Sequence, residues 1–247
     1  MKAEISVVHL FDAAGDKGIE RPVTYLTAAE NVFGTSLAFV GTHRIKSAGD
    51  WVRRRKDKHD AEVAGGLHPV PAGAGIVVCL NSAPGGRPFL RTTVIFGVAA
   101  ETRWRELEPF TLRIQDEPDH LPRVGLPRLR RVLLAGIDLG RCICAWVEDE
   151  PNWLRLSHSP LAEQYPAHKL PGDRANPGIV HPLTWFRRDL AELLGGWDKV
   201  AATPAFEVSE YADGLLIQLV DAWFDDESAD HRAAQIRAME HLGFPWR

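Results

Sequence analysis

The sequence has few cysteines and no long apolar run. Only three of its 247 residues are cysteines, namely Cys79, Cys142 and Cys144, and three thiols cannot pair completely within one chain. A disulfide-rich secreted scaffold is therefore excluded. A membrane-spanning helix needs roughly 20 consecutive apolar residues. The longest low-charge stretch, residues 68–86, is interrupted by prolines and glycines, so no membrane association is expected.

The amino-terminal segment also lacks the pattern of a secretory leader. Such a leader has a positively charged end followed by an uninterrupted apolar stretch. Here Glu4 and Asp12 lie within or beside the first apolar run. Together with the low cysteine count, this predicts a cytoplasmic protein with reduced thiols.

Motifs that reveal a catalytic or metal site by their spacing are missing as well. The sequence has no Gly-x-Ser-x-Gly elbow, no His-x-x-x-His pair beside a Glu and no phosphate-binding loop. Cys142-x-Cys144 is the nearest approach to a metal or redox motif, and in a strand both thiols would lie on one face. No second Cys or His pair stands at zinc-ligand spacing. Buried packing cysteines are favoured, and we expect no cofactor or metal.

Two histidines keep a catalytic alternative open. His158, within Leu-Ser-His-Ser-Pro, and His231, in the first turn of the last expected helix, could each be drawn as the general base of a hydrolase of unrecognised type. The partial positive charge of a helix amino terminus disfavours protonation of His231. A surface or capping role for His231 is therefore the favoured interpretation.

Charge is unevenly distributed along the chain. The residues from Arg141 onward hold 17 acidic and 10 basic side chains, a net charge of −7, whereas residues 1–140 hold 16 and 19, a net charge of +3. The basic run from Arg53 to Lys58 suggests an alternative function as a nucleic-acid-associated regulator. Only Trp51 offers a stacking aromatic there. A solvated helix face is favoured, and we expect no direct nucleic-acid ligand.

Alternation and turn signals predict both strands and helices in the first 150 residues. A polar helix is expected from Trp51 to about Val63, with Ser47 as its amino-terminal cap. An apolar stripe from Leu126 to Ile137 predicts a helix over 127–138 that ends at Gly140. Strands are expected at Ile5–Phe11, Thr35–Val40, Gly75–Asn81, Phe89–Ala99, Phe110–Ile114 and Arg141–Val147.

The last third predicts a helix, a hairpin and a final helix. The first helix is expected from Pro182 or Leu183 to Leu194. The hairpin would join 206–211 to 215–222, with Gly214 supplying left-handed geometry in its turn. The final helix is expected from Ala229 to Leu242, with Ser228 as its cap and with Ala233, Ile236 and Met239 or Leu242 facing inward.

The mixed order of strands and helices, without strict β–α–β alternation, favours an α+β fold. We expect a mixed, largely antiparallel sheet or sheets with flanking helices, and a carboxy-terminal hairpin followed by a helix. The length fits one domain over residues 1–247, with a candidate internal boundary near 116–126.

Acidic residues surround two aromatics after the last hairpin. One interpretation is a solvated loop with one aromatic tucked inward. The other is an aromatic anchor ringed by carboxylates, which suits docking to a basic protein surface. The candidate partner-binding residues are Asp221, Trp223, Phe224, Asp225, Asp226, Glu227 and Asp230.

The chain from about Leu129 to its end resembles the immunity proteins of bacterial polymorphic-toxin and type VI secretion systems. The similar segments are RRVLLAGIDLGRCICAWVEDEPNWLRL, HPLTWFRRDLAELL and FEVSEYADGLLIQLVDAWFDDESADHRAAQIRAMEHLG. In that family a strand carries an aromatic and an acidic–proline turn, here Trp146 and Glu150-Pro151. The family also has a tryptophan-bearing segment, matched here by Trp185, and a glycine turn, matched by Gly214. Its Phe-Asp step corresponds to Phe224-Asp225, and its helical histidine corresponds to His231.

This resemblance implies a non-enzymatic, cytoplasmic inhibitor that binds one cognate toxin effector. Proteins of the family are often encoded beside nucleases with a restriction-endonuclease-like fold, so the implied partner is a DNase. A DNA-cleaving toxin should be basic around its cleft, and an acidic half-protein can dock there. Inhibition by blocking the active site and inhibition by blocking toxin assembly both remain open, and self-association of the inhibitor is compatible with the sequence.

Overall fold

The computed structural model describes residues 4–12, 19–40, 42–64, 76–84, 90–96, 107–115, 121–149 and 179–244. Ten strands and six helices lie within these ranges. The strands are β1 (Glu4–Asp12), β2 (Phe39–Val40), β3 (His43–Arg44), β4 (Ile76–Asn81), β5 (Leu90–Phe96), β6 (Leu107–Gln115), β7 (Cys142–Asp149), β8 (Leu183–Arg187), β9 (Glu207–Tyr211) and β10 (Gly214–Gln218). The helices are α1 (Glu20–Phe33), α2 (Ala48–Ala64), α3 (Leu121–Ile137), α4 (Arg188–Leu193), α5 (Trp197–Ala201) and α6 (Ala229–Leu242).

All ten strands belong to one sheet, in the order β3-β2-β4-β5-β6-β1-β7-β8-β10-β9. Every pairing between neighbours is antiparallel. The predicted α+β class with a largely antiparallel sheet is therefore confirmed. The first strand lies between β6 and β7, so strands from both sides of residues 116–126 share the sheet. The single-domain organisation itself stays a prediction.

The sheet separates two hydrophobic clusters. Alternate residues of β1 point to opposite faces, as strand geometry requires. Ile5 and Val7 pack with α1, α2 and α3 in the first cluster. Val8 and Leu10 pack with α4, α5 and α6 in the second cluster. Full burial of such a side chain stabilises the fold by about 1.5–3 kcal/mol, so both layers of helices contribute to stability.

A β-bulge in β7 places the two neighbouring cysteines on opposite faces. Leu10 of β1 lies opposite Cys144, and the next residue, Phe11, lies opposite Cys142, so Ile143 is the extra residue. Cys142 belongs to the first cluster and Cys144 to the second. The prediction that both thiols share one face is therefore wrong, because the bulge breaks the alternation. The prediction that they are buried is confirmed, at 2% and 0% exposure.

The third helix approaches the sheet closely over His9. The Nε2–H of His9 donates a hydrogen bond to the carbonyl oxygen of Leu133 at 2.9 Å. A Cβ atom at Gly136 would overlap the His9 ring, so glycine is needed at this contact. The predicted stripe of α3 is confirmed, since Leu129, Val132 and Leu133 are all buried. Gly125, at φ +60° and ψ 144°, interrupts the helix after its first turn, close to the predicted start at Pro127.

Residues 183–194 were predicted as one helix, and that prediction is wrong in its first half. Leu183–Arg187 is strand β8, between β7 and β10. Only Arg188–Leu193 is helical. Four consecutive residues of β8 are buried, because Leu183 and Trp185 pack in the first cluster and Phe186 packs in the second. The sequence of a strand that is buried on both faces is a continuous apolar run. Hydrophobic periodicity cannot distinguish such a run from a buried helix.

The last hairpin is confirmed, but with a different role for its glycine. The residue in the left-handed region is Ala212, at φ +49°, while Gly214 is not among the positive-φ glycines of the described residues. A Cβ atom at Gly214 would overlap the carbonyl oxygen of Phe186 and the ring of Trp185. Gly214 is therefore required for close packing against β8, whereas the turn itself depends on Ala212.

Caps at two helices are as predicted. Ser47 Oγ accepts the backbone N–H of Asp50 at 3.2 Å, and Ser228 Oγ accepts that of His231 at 3.4 Å. The final helix ends at Gly243, at φ +80°. The predicted inward face of α6 is partly wrong, because Ala234 and Ala238 are buried while Ala233 and Ile236 are half-buried.

Among the helices described, none combines the length and the apolarity that a membrane crossing would require.

Candidate partner-binding surface

The predicted partner-binding residues lie in one segment that follows β10 and runs into the first turn of α6, here called the acidic segment (residues 221–230). Its side chains Asp221, Asp225, Glu227 and Asp230 are exposed, and Asp226 is half-buried. Phe224 is 1% exposed and belongs to the second hydrophobic cluster. The structure therefore brings the predicted carboxylates together at the surface.

Hydrogen bonds hold the backbone of the acidic segment in place. The N–H of Asp225 donates to Nδ1 of His231 at 2.9 Å. Asp225 Oδ1 accepts the N–H of Glu227, also at 2.9 Å. The guanidinium of Arg232 donates to the carbonyl oxygen of Asp226 at 2.6 Å. Because backbone and side chains cooperate in this way, the exposed carboxylates project from a fixed frame.

The two aromatics of the segment do not act as an exposed anchor. Phe224 packs beneath the segment with its ring centroid 5.6 Å from that of His231. Because its ring is buried in this structure, Phe224 offers no accessible surface to a partner, and partner binding by the segment stays a prediction. Trp223 is half-buried and packs against the first cluster. The two rings therefore pack the segment against the hydrophobic clusters on both faces of the sheet. The exposed carboxylates are the groups of the segment that are accessible to a partner.

His231 has a structural role in this arrangement. Its Nδ1 accepts a backbone hydrogen bond, so that nitrogen carries no proton. Its own backbone N–H is bound by the cap residue Ser228. Ser228 is therefore the cap of the helix, whereas the half-buried ring of His231 holds the segment that precedes the helix. His158, the other candidate base, lies outside the described residues.

A buried histidine that the sequence analysis did not single out lies beside β7. The His181 ring stacks on Trp146 with centroids 5.5 Å apart, and its Nε2 is 3.9 Å from a carboxylate oxygen of Glu148. That oxygen instead accepts the indole N–H of Trp146 at 2.9 Å. Burial lowers the pKa of His181 from 6.5 to about 3. The ring is therefore a neutral core side chain and a weak base.

The buried cysteines are also poorly suited to thiolate chemistry. Burial, reinforced for Cys142 by the neighbouring Cys144 thiol, raises the pKa of Cys142 well above its ordinary value. Burial likewise raises the pKa of Cys144. A thiol needs a lowered pKa and access to solvent to react or to bind a metal. Within the described ranges, no group of three or more His, Cys, Asp or Glu residues is arranged to hold a metal ion.

The basic run on α2 is largely engaged within the protein. Arg53 pairs with Glu20 at 3.1 Å and with Asp50 at 3.6 Å. Arg54 donates to a backbone carbonyl of its own helix. Lys56 forms an ion pair with Asp60. These contacts support the interpretation of α2 as a solvated helix face, because cations already paired gain less from phosphate.

One exposed aromatic was missed as a candidate because the sequence analysis assigned it to a hairpin strand. Phe206 immediately precedes β9 and is 60% exposed. Its neighbours Ala205 and Val208 pack against the second cluster. The sequence signal that could have found it is the Pro204-Ala-Phe sequence, in which the proline ends regular structure and leaves the next aromatic at a sheet margin.

No known family profile matches the chain, and no curated protein matches it in sequence. The fold is similar to that of the Pseudomonas aeruginosa T6SS protein PA0821, with a TM-score of 0.54 and 13% sequence identity. The superposition covers 98% of this chain and 72% of that protein. At this level of identity, the similarity shows a shared fold.

Proposed function

We propose that this chain is an immunity protein that binds and neutralises a cognate secreted antibacterial toxin, with a nuclease effector of a type VI secretion system as the leading candidate. The observation that carries the proposal is the acidic segment, which exposes several carboxylates from a backbone held by the Asp225–His231 and Asp226–Arg232 contacts. The fold similarity to a protein named for the T6SS supports the assignment to this system.

Electrostatics connects the acidic segment to a nuclease. An enzyme that cleaves DNA presents cations to bind phosphates, so its cleft offers a basic surface. Fixed carboxylates attract such a surface over about 8–10 Å at physiological salt and speed association. Because the segment is already ordered, little conformational entropy is lost when it is covered.

The first experiment tests neutralisation. The toxin encoded by the neighbouring gene is expressed in a sensitive host with and without this chain, and survival is counted. We expect survival to be restored only when the chain is present. Equal killing in both cultures would remove the proposal.

The second experiment tests the acidic segment. Asp225 is unsuitable for substitution, because its carboxylate accepts a backbone bond within the segment. The double variant Asp221→Asn/Glu227→Gln instead removes two exposed charges without changing side-chain shape. We expect its association rate constant with the toxin to fall about 10-fold at low salt and to converge with that of the wild type at high salt.

The matched control removes the same charge elsewhere. Asp57 on α2 and Glu192 on α4 are both exposed, so Asp57→Asn/Glu192→Gln has the same net charge as the test variant. The control should associate at nearly the wild-type rate. If both double variants slow association equally, net charge alone governs the rate, and the segment is not a specific contact.

A further inference from the structure

We infer that the edge of the sheet at β9, together with Phe206, accepts an extended, Lys- or Arg-bearing segment of the toxin as an additional antiparallel strand. This inference rests on the proposed function and specifies the surface and chemistry of the partner. It places the anchoring contact at Phe206 and not at the aromatics of the acidic segment.

β9 is the last strand of the sheet, and in the described part of the chain it pairs only with β10. The hydrogen bonds of the two residues that flank β10 show which of its backbone groups face which neighbouring strand. The N–H of Leu219 donates to Pro182 at 3.1 Å, and the carbonyl of Asp213 accepts from Arg188 at 2.9 Å. Within β10, odd-numbered residues therefore bond towards β8 and even-numbered residues bond towards β9, whereas the carbonyl of Leu219, just beyond the strand, accepts from Phe206 on the β9 side.

The alternation then determines the free edge. Gly214, Leu216 and Gln218 lie opposite Tyr211, Ser209 and Glu207, so these residues of β9 use their backbone groups inside the sheet. The N–H and C=O groups of Val208 and Glu210 point outward. Such outward groups are a ready template for an added strand, and peptide recognition by strand addition uses them in this way.

An exposed aromatic lies directly beside this edge. Phe206 is 60% exposed, and the only other large apolar side chain with comparable exposure among the described residues is Leu193 on α4, at 46%. The N–H of Phe206 donates to the carbonyl of Leu219, two residues before Asp221. Phe206 therefore lies at the end of the hairpin where the acidic segment begins, so the edge and the aromatic adjoin the start of that segment.

Charge identifies the occupant of this surface. The chain holds eight acidic residues and no Lys or Arg between Lys199 and Arg232. Glu207 is paired with Arg130 at 3.0 Å. Glu210 on β9 is exposed, as are four carboxylates of the acidic segment. A second copy of this chain would place like charges across the edge, which is unfavourable, whereas a basic strand would be attracted.

Hydrogen exchange gives the direct test. The probe is the toxin from the neighbouring gene, bound to the full-length chain. We expect the amide hydrogens of Val208 and Glu210 to exchange at least 10-fold more slowly in the complex than in the free protein. Unchanged exchange at both amides in a complex that still forms would overturn the inference and leave the proposed function intact.

Substitutions separate the aromatic, the charge and the backbone group. Phe206→Ala should weaken binding by about 30-fold or more, as for an interface hot spot, whereas the matched control Leu193→Ala should stay within about 2-fold. Glu210→Gln removes one charge, and Glu210→Pro also removes the outward N–H, a substitution that an edge strand tolerates at such a position. The proline variant should bind more weakly than the glutamine variant, and thermal unfolding would verify that both are folded.

Equal binding by Phe206→Ala and the wild type would overturn the inference. So would a dimer of the free protein in sedimentation that already protects the Val208 and Glu210 amides, because the edge would then belong to a second copy. Failure of the wild-type chain to bind the toxin at all would instead contradict the proposed function. The two failures are therefore distinguishable.

Discussion

Acid should destabilise this protein through two histidines buried as neutral rings. Burial lowers the pKa of His9 from 6.5 to about 4, although its backbone hydrogen bond to Leu133 opposes the shift. Burial lowers that of His181 to about 3. Between these values and 6.5 the unfolded chain binds protons that the folded chain does not. Stability is therefore unaffected by these groups above pH 6.5 and falls as the pH decreases below it.

The magnitude follows from linkage. Each histidine lowers the free energy of unfolding by about 1.4 kcal/mol for every pH unit between 6.5 and its folded pKa. Between pH 7 and pH 5 the pair should account for a loss of about 4 kcal/mol. A typical domain has a total stability of about 5–15 kcal/mol, so the loss should be clearly visible.

The assay is urea unfolding at several pH values. His9→Gln keeps an N–H donor for the carbonyl of Leu133 but does not titrate, and His181→Gln is its counterpart on the other face. We expect each variant to lose about half of the histidine-dependent slope and the double variant to lose nearly all of it. The control His43→Gln changes an exposed side chain and should retain the wild-type slope.

An unchanged slope in the double variant would refute this reasoning, because carboxylates would then account for the acid sensitivity. If the glutamine variants do not fold, the ring signals of His9 and His181 can be followed by NMR in the wild-type protein. Titration of either ring near pH 6.5 in the folded state would refute the reasoning equally.

Three further outcomes follow from packing and local hydrogen bonds. Gly214→Ala should cost about 3 kcal/mol or more, because its Cβ atom would overlap Phe186 and Trp185. Gly140→Ala, in open space at φ +76°, should cost only about 1–2 kcal/mol, and equal losses in thermal unfolding would contradict the overlap. A thiol reagent should label at most Cys79 in the native protein and all three cysteines in denaturant, since Cys142 and Cys144 are buried, and rapid native labelling of two thiols would contradict this. Ser228→Ala should lower stability by about 1 kcal/mol, Ser228→Thr should largely restore it, and an effect as large for Thr as for Ala would argue against the cap.

Sequence reasoning predicted the features of the fold that depend on local chemistry. Ser228 and Gly243 bound the last helix, because a hydroxyl and a left-handed glycine satisfy its terminal backbone groups wherever the helix lies. The inward stripe of α3 around Leu129 and Leu133 was likewise visible from its period. Such signals act within a few residues and do not depend on the rest of the chain.

Features that depend on tertiary neighbours were missed. The sequence Leu-Thr-Trp-Phe of β8 becomes a strand because β7 and β10 pair with it on either side. No local sequence signal within the segment indicates these pairings. The bulge at Ile143 is visible only through the pairing of β7 with β1. Helix α1 was not predicted at all, since Pro22 and the β-branched residues of its first turns are weak helix signals. Its packing on the first cluster provides the stability that propensity does not.

In the candidate site, too, the sequence predicted the positions of the charges but not the packing of the aromatic side chains. Composition alone located the carboxylates between Asp221 and Asp230. It could not tell that Phe224 is buried while Phe206 is exposed, because the direction of each ring depends on which face of the sheet the chain has reached. The sequence therefore predicted the electrostatics of the surface but not its apolar contact.

These two components should affect different steps of binding. Carboxylates act at a distance and would attract many basic proteins, including ones that are not the cognate toxin, so charge alone gives speed with little selectivity. Strand pairing at Val208 and Glu210 and burial of the Phe206 ring act only after contact and require matching geometry in the partner. Loss of Asp221 and Glu227 should therefore lower the association rate constant, whereas loss of the Phe206 ring should raise the dissociation rate constant. If Phe206→Ala slowed association and left dissociation unchanged, the aromatic would not be a docked anchor, and selectivity would have to come from another part of the surface.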